Sequence, residues 1–244
     1  MGAPDGQQCS MRNVEVEIRG EQVGGVIAFP EPNAGPDSGT GPGVIVIQEW
    51  WGLVPHIQGV VSRLAAAGFV ALALDHYRGV ETTEPDEAQK LMMGLQVSAA
   101  AADLAGAAAY LVDRPEVTTS KIAVMGFCMG GGLALLAPTV SAQIACAAAF
   151  YPAMPWPDFA PDWANYAGKA AMIHKAQSDE GWAAPKIAEY AAEITGHGGR
   201  VAVFDYPGSE HAFFNDDRPE VYSPSYAGAA WERSTAFFRA ECTP

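Results

Sequence analysis

Residues 121–132 read Lys-Ile-Ala-Val-Met-Gly-Phe-Cys-Met-Gly-Gly-Gly, and this stretch decides the fold. Its first part, Ile122 to Met125, is a short, wholly apolar run of the kind found in strands covered on both faces. Beyond the glycines the chain continues Leu-Ala-Leu-Leu-Ala from Leu133 to Ala137, all good helix formers. A strand that passes into a helix through G-x-C-x-G sets the middle residue on a tight, strained turn, with glycines admitting the close backbone approach. Cys128 is that middle residue. Its sulfur would face the helix N-terminus, where free amides and the helix dipole favour thiolate, the nucleophilic form. A buried structural cysteine in a glycine-rich turn would give the same letters, so the motif alone leaves both readings open.

Working outward, apolar runs recur at Val44 to Ile47, Phe69 to Leu74, Ala145 to Phe150, Ala170 to Ile173 and Val201 to Phe204. All of them lack polar alternation and predict a parallel sheet covered by helices on both faces. Earlier, Val14 to Ile18 alternates, and Val23 to Phe29 follows after four residues, which predicts an antiparallel hairpin at the sheet edge. Residues 30–43 are a polar, glycine- and proline-rich loop, and residues 1–12 are expected to be a loosely ordered N-terminal segment. Helices are predicted near residues 57–67, 129–137, 185–195 and 226–239. A further one carries the stripe Val97, Ala101, Leu104, Ala108 and Leu111, which shares one face. The alternation predicts a single α/β domain over residues 1–244 with a doubly wound, mostly parallel sheet.

Ligands in such sheets bind beyond the carboxyl ends of the strands, so the residues after each run carry the chemistry. Asp179 lies just past Ala170 to Ile173 and could orient an imidazole, although an Asp there also serves as a helix cap or turn residue. His211 follows Val201 to Phe204 and could take a proton from Cys128. His174, inside an apolar run, reads as a core histidine. The order nucleophile, acid, histidine at 128, 179 and 211 is the chain order of α/β-hydrolases. After Val44 to Ile47 come Gln48, Glu49, Trp50, Trp51 and Gly52. The amides of Trp50 and Met129 are the expected oxyanion hole. Glu49 is either a solvated loop residue or the partner of a cation, with Arg78 the candidate. Prolines and aromatics from Tyr151 to Trp163 either roof an apolar pocket beside Trp50 and Trp51, through Trp156, Phe159 and Trp163, or pack under their own loop.

The motifs QEWWGL, DHYRG, GFCMGGG, the Asp five residues after His174, and PGSEHAF together resemble the dienelactone hydrolase family, from about Val14 to the C-terminal helix. The resemblance implies a compact α/β-hydrolase with a Cys128–His211–Asp179 triad; no cofactor and no metal are expected. It also implies that Glu49 exchanges a proton with the cysteine and subdues the resting thiol. Members that open dienelactones hold the substrate carboxylate with two arginines. Here Arg78 follows Tyr77 with no intervening residue, and the second position is Asn215. Loss of a bidentate guanidinium weakens carboxylate recognition, and Arg218 is a replacement candidate. The candidate substrate contacts are therefore Arg78, Tyr77, Trp51, Phe213 and Asn215.

Composition excludes other classes. A formal charge of −14 over 244 residues repels nucleic acid and anionic lipid, so neither is an expected partner. Four cysteines without a CxxC pair make neither a disulfide scaffold nor a thiolate metal site, and Cys9, Cys146 and Cys242 have no chemical context. The N-terminus has no signal-peptide pattern, which makes the cytoplasm the expected compartment, with a monomer or small homo-oligomer as the expected state. The expected activity is hydrolysis of a lactone or activated carboxylic ester, resembling a carboxymethylenebutenolidase that turns dienelactone into maleylacetate during aromatic degradation. A non-hydrolytic thiol-dependent ligand-binding or redox-responsive protein, and a cyclase or isomerase, are the competing classes.

Overall fold

Valine and isoleucine alternate through β3 (Gly43–Ile47), and every residue of the strand is buried. Val44 and Val46 enter one hydrophobic cluster, Ile45 and Ile47 the other. A strand that is apolar on both faces needs cover on both faces, and the helices supply it. α1 (Pro55–Ala66) and α6 (Pro224–Glu241) contribute Val60, Leu64 and Phe238 to the first cluster. α3 (Val97–Val112), α4 (Met129–Val140) and α5 (Ala184–Gly196) contribute Leu104, Leu133 and Ile187 to the second.

The computed structural model describes residues 11–31, 39–157 and 159–242. Its single sheet has the order β1-β2-β4-β3-β5-β6-β7-β8. β1 (Arg12–Ile18) and β2 (Glu21–Ala28) form the expected antiparallel hairpin, and β2 pairs antiparallel with β4 (Val70–Leu74). From β4 onward all neighbours are parallel, through β5 (Ile122–Phe127), β6 (Ile144–Phe150), β7 (Ala170–Ala176) and β8 (Arg200–Tyr206). The parallel strands therefore present their carboxyl ends on one side, where Glu49, Cys128, Tyr151, Asp179 and His211 follow them.

Three expectations need correction, and one helix was not foreseen. Arg12 is not part of a loose segment: it opens β1 and pairs with Ile27. Residues 1–10, Cys9 among them, and 32–38 of the expected loop lie outside the described residues. β8 is not covered on both faces, since it is the sheet edge and Val203 stays 41% exposed. In α3 the buried stripe turns toward Ala100, Leu104, Ala107, Ala108 and Leu111, while Val97 and Ala101 pack only partly. Asp103 sits on that face too, tolerated because Arg78 pairs with it at 2.9 Å. α2 (Pro85–Gly94) went unpredicted although Ala88, Leu91 and Met92 recur at helical spacing, and only Ala88 of it is fully buried. A proline in its first turn and the early Asp86 and Glu87 hold it by local means instead. Among the described residues, no single helix is long and apolar enough to cross a membrane.

Candidate active site

The glycines around Cys128 are there because backbones touch. A Cβ on Gly130 would lie 2.6 Å from the Ile47 carbonyl oxygen, so only glycine lets the start of α4 pack against the end of β3. That contact presses the helix N-terminus against the loop carrying Glu49 and Trp50. Cys128 itself has φ 53° and ψ −118°, a left-handed conformation costly for a side-chain-bearing residue. Three bonds over-determine it. The Cys128 amide donates to the Phe150 carbonyl at 3.0 Å, and its carbonyl accepts from Gly131 at 2.9 Å and Ala153 at 2.9 Å. Tyr151 (φ 36°) and Ala212 (φ 69°) share this backbone strain, so three strained non-glycine residues cluster at one end of the sheet.

His211 stands on the loop after β8. Its Nδ1–H donates to Asp179 Oδ1 at 2.8 Å, and its amide donates to Ser178 Oγ at 2.6 Å. Asp179 is fully buried, and its Oδ2 has no hydrogen-bond partner among the described residues. The imidazole is thus the main compensation for that carboxylate. Burial alone would push the His211 pKa down. The charge of the Cys128 sulfur, then hydrogen bonds to Asp179 and Cys128, outweigh it and lift the group to about 10. The ring also meets Tyr151 at 5.0 Å and Trp182 at 5.3 Å between centroids.

Glu49 is 1% exposed, which removes the solvated-loop reading. The expected pair with Arg78 does not form. Tyr151 Oη donates to Glu49 Oε1 at 3.1 Å and Asn215 Nδ2 donates to Oε2 at 2.8 Å. Arg78 turns to Asp103 because its own residue adopts φ 56°, with its guanidinium also donating to the Asp75 carbonyl at 2.9 Å. Burial, then the Glu49 charge, holds the Tyr151 hydroxyl well above the usual phenol range, so it remains a donor.

A cavity of about 490 Å³ opens over these groups. Glu49, Trp50, Cys128, His211 and Ala212 form its floor, and Met92, Pro152 to Pro155, Trp182, Ala183, Lys186 and Arg218 its walls. Tyr77, Trp51, Phe213, Asn215 and Arg78 lie outside that lining. Tyr77 Oη donates to Met129 Sδ at 3.1 Å, next along the chain from Cys128. Trp51 packs edge-on against Trp50 at 4.8 Å, and Phe213 is fully buried against Tyr151. Of the two readings for the aromatic loop, packing wins: Phe159 stacks on Trp156 and Tyr190, and Trp163 meets Tyr190. Trp156 Nε1 donates to the Met92 carbonyl at 2.7 Å and so fixes one cavity wall from behind. His174 is a core histidine, bonded to Tyr206 Oη at 2.8 Å and Ser234 Oγ at 2.9 Å, and burial depresses its pKa to about 3.

Sequence reading missed Tyr151, Met92 and Trp182. Tyr151 directly follows β6 and was findable by the strand-end rule. Met92 rides on the unpredicted α2, and Trp182 carries no local signal. Among the described residues, no three His, Cys, Asp or Glu side chains are grouped to hold a metal ion.

Against known proteins, residues 29–242 match the model of the dienelactone hydrolase family. Protein usf of Aquifex pyrophilus is 33% identical over 233 residues, covering 93% of this chain and 96% of that protein. The carboxymethylenebutenolidase of Pseudomonas sp. (strain P51) is 35% identical over 108 residues, covering 41% of this chain and 45% of that one. In structure, the dienelactone hydrolase of Anabaena variabilis superposes with a TM-score of 0.65 at 18% identity, covering 97% of this chain and all of that one, a likeness of fold. Sheet order, strand-end site and sequence match agree: this chain belongs to the dienelactone hydrolase family and is an α/β-fold hydrolase of esters or lactones.

Proposed function

We propose that the chain cleaves a lactone or activated carboxylic ester through Cys128, His211 and Asp179. The observation that carries this reading is the convergence of Cys128 and His211 on one cavity, with the imidazole held from behind by Asp179 at 2.8 Å. With Nδ1 committed to Asp179, Nε2 is left for the sulfur and for the leaving group.

The Cys128 thiolate attacks the carbonyl carbon and a C–S bond forms while the carbonyl electrons move onto oxygen. The Met129 amide, in the first turn of α4 where helical partners are lacking, and the Trp50 amide donate to that oxyanion. The oxyanion then collapses, the C–O bond to the leaving group breaks, and His211 gives its proton to the departing oxygen. Water, deprotonated by His211, next attacks the thioester. The C–S bond breaks, the acid departs, and sulfur and imidazole return to their starting pair. One ester and one water give one acid and one alcohol, with no cofactor needed. For a lactone, both products are one open chain.

Glu49, anchored by Tyr151 and Asn215, shapes the floor under this centre. The position that would carry a second carboxylate-binding arginine instead supplies the anchor for Glu49. The test is a panel of p-nitrophenyl esters, simple lactones and a dienelactone offered to wild type and Cys128→Ala. Turnover by wild type alone is expected; equal turnover by the variant overturns the reading.

A further inference from the structure

Much of the cavity lining around Cys128 is apolar, with Met92, Pro152, Ala153, Met154, Pro155 and Trp182 in it. Trp182 is 53% exposed and lines the cavity, so much of its ring is open to a ligand lying there. It also contacts the imidazole of His211, so whatever lies on it lies beside the reacting carbonyl. Three groups that carry positive charge reach the lining, and each already faces an anion; the imidazole of His211 is held by Asp179 at 2.8 Å. Lys186 Nζ lies 3.1 Å from Glu189 Oε2 and over the Tyr190 ring at 5.2 Å. Arg218 Nε donates to Glu220 Oε1 at 2.9 Å, with its guanidinium 5.9 Å from the Trp51 ring centre. Arg78 is held by Asp103 outside the lining. On the floor stands Glu49, whose side chain accepts from the obligatory donor Asn215 Nδ2.

A carboxylate entering this space would leave water for apolar walls and meet a buried acidic group, and Lys186 or Arg218 would have to leave its glutamate to receive it. An uncharged hydrocarbon chain would instead cover Trp182, Met92 and Met154 and gain from each methylene it buries. We propose that the cavity recognises an uncharged, apolar acyl group seated on Trp182, Met92 and Met154, and selects against acyl groups ending in a carboxylate. This deepens the hydrolytic reading of the same site and rests on it for the word acyl, while recognition itself is measurable without chemistry.

The probes are two anilides of equal length, hexananilide and the monoanilide of adipic acid, which differ only in a terminal methyl or carboxylate. Calorimetry on Cys128→Ala is expected to give tighter binding of hexananilide by about tenfold or more, the scale of one uncompensated desolvated charge. Trp182→Ala is expected to weaken hexananilide several-fold and leave the adipoyl compound unchanged. Lys186→Gln and Arg218→Gln are expected to leave the gap as it is. Equal or tighter binding of the adipoyl compound, or binding of neither, overturns the inference. The matching p-nitrophenyl esters separate the two readings: selective binding of hexananilide by a wild-type protein that cleaves neither ester would end the hydrolytic reading and leave this one standing.

Discussion

His211 Nδ1 lies 2.8 Å from Asp179 Oδ1, and the second oxygen of that fully buried carboxylate has no partner among the described residues. A buried anion with so little compensation is costly in a fold that needs stability alone, and an oriented imidazole is the return for it. Asp179→Asn keeps the shape but offers the ring an amide, which permits the wrong tautomer. The expected result is a fall in kcat of about 10²- to 10⁴-fold with KM little changed, measured on a p-nitrophenyl ester.

The raised pKa of His211 makes stability depend on pH with a definite sign. Between its ordinary value of about 6.5 and its folded value of about 10, the folded chain binds a proton that the unfolded chain does not. The stabilisation is complete below the lower value and is lost as pH rises through the upper one. Unfolding midpoints in urea are expected to fall from pH 7 to 10. Cys128→Ala, which removes the largest of the raising influences, is expected to flatten that fall.

Glu49 depends on Asn215 and Tyr151. Asn215→Ala removes the donor to Oε2 and leaves a buried carboxylate oxygen bare, at a cost of about 1–3 kcal/mol. For a chain of this length that is about 2–4 °C of Tm per kcal/mol, readable by calorimetry. The double variant Glu49→Gln/Asn215→Ala is expected to recover much of the loss, because no anion is then stranded.

Gly130→Ala pushes a methyl into the Gln48 and Ile47 carbonyls. The start of α4 must then move away from β3, separating the Met129 and Trp50 amides. A loss of about 1–3 kcal/mol of stability is expected, with kcat falling by a larger factor than stability alone explains.

How far the sequence spoke for itself follows from where each signal lives. Strands such as Gly43–Ile47 and Ile144–Phe150 were legible because burial on both faces writes itself as an unbroken apolar run. Cys128, Asp179 and His211 were legible because each follows such a run in the order the fold imposes. Pairings were not. The guanidinium of Arg78 goes to Asp103 rather than Glu49 because of a local backbone turn and an acid on a helix face twenty-five residues away. Asn215 reaches Glu49 across 166 residues. Cavity walls were harder to read: Trp182 has no apolar periodicity around it, and Met92 belongs to the helical set Ala88, Leu91, Met92 and Leu95, which is too short to stand out.

The claim on which the account rests is that Cys128 sulfur carries the acyl group. Intact-protein and peptide mass spectrometry after brief, acid-quenched exposure to p-nitrophenyl acetate measures it directly. A mass increase of one acetyl group is expected on the peptide containing Cys128, absent in Cys128→Ala and persistent in His211→Ala once formed. Turnover with the acyl group on another residue, or hydrolysis undiminished in Cys128→Ala, would contradict it.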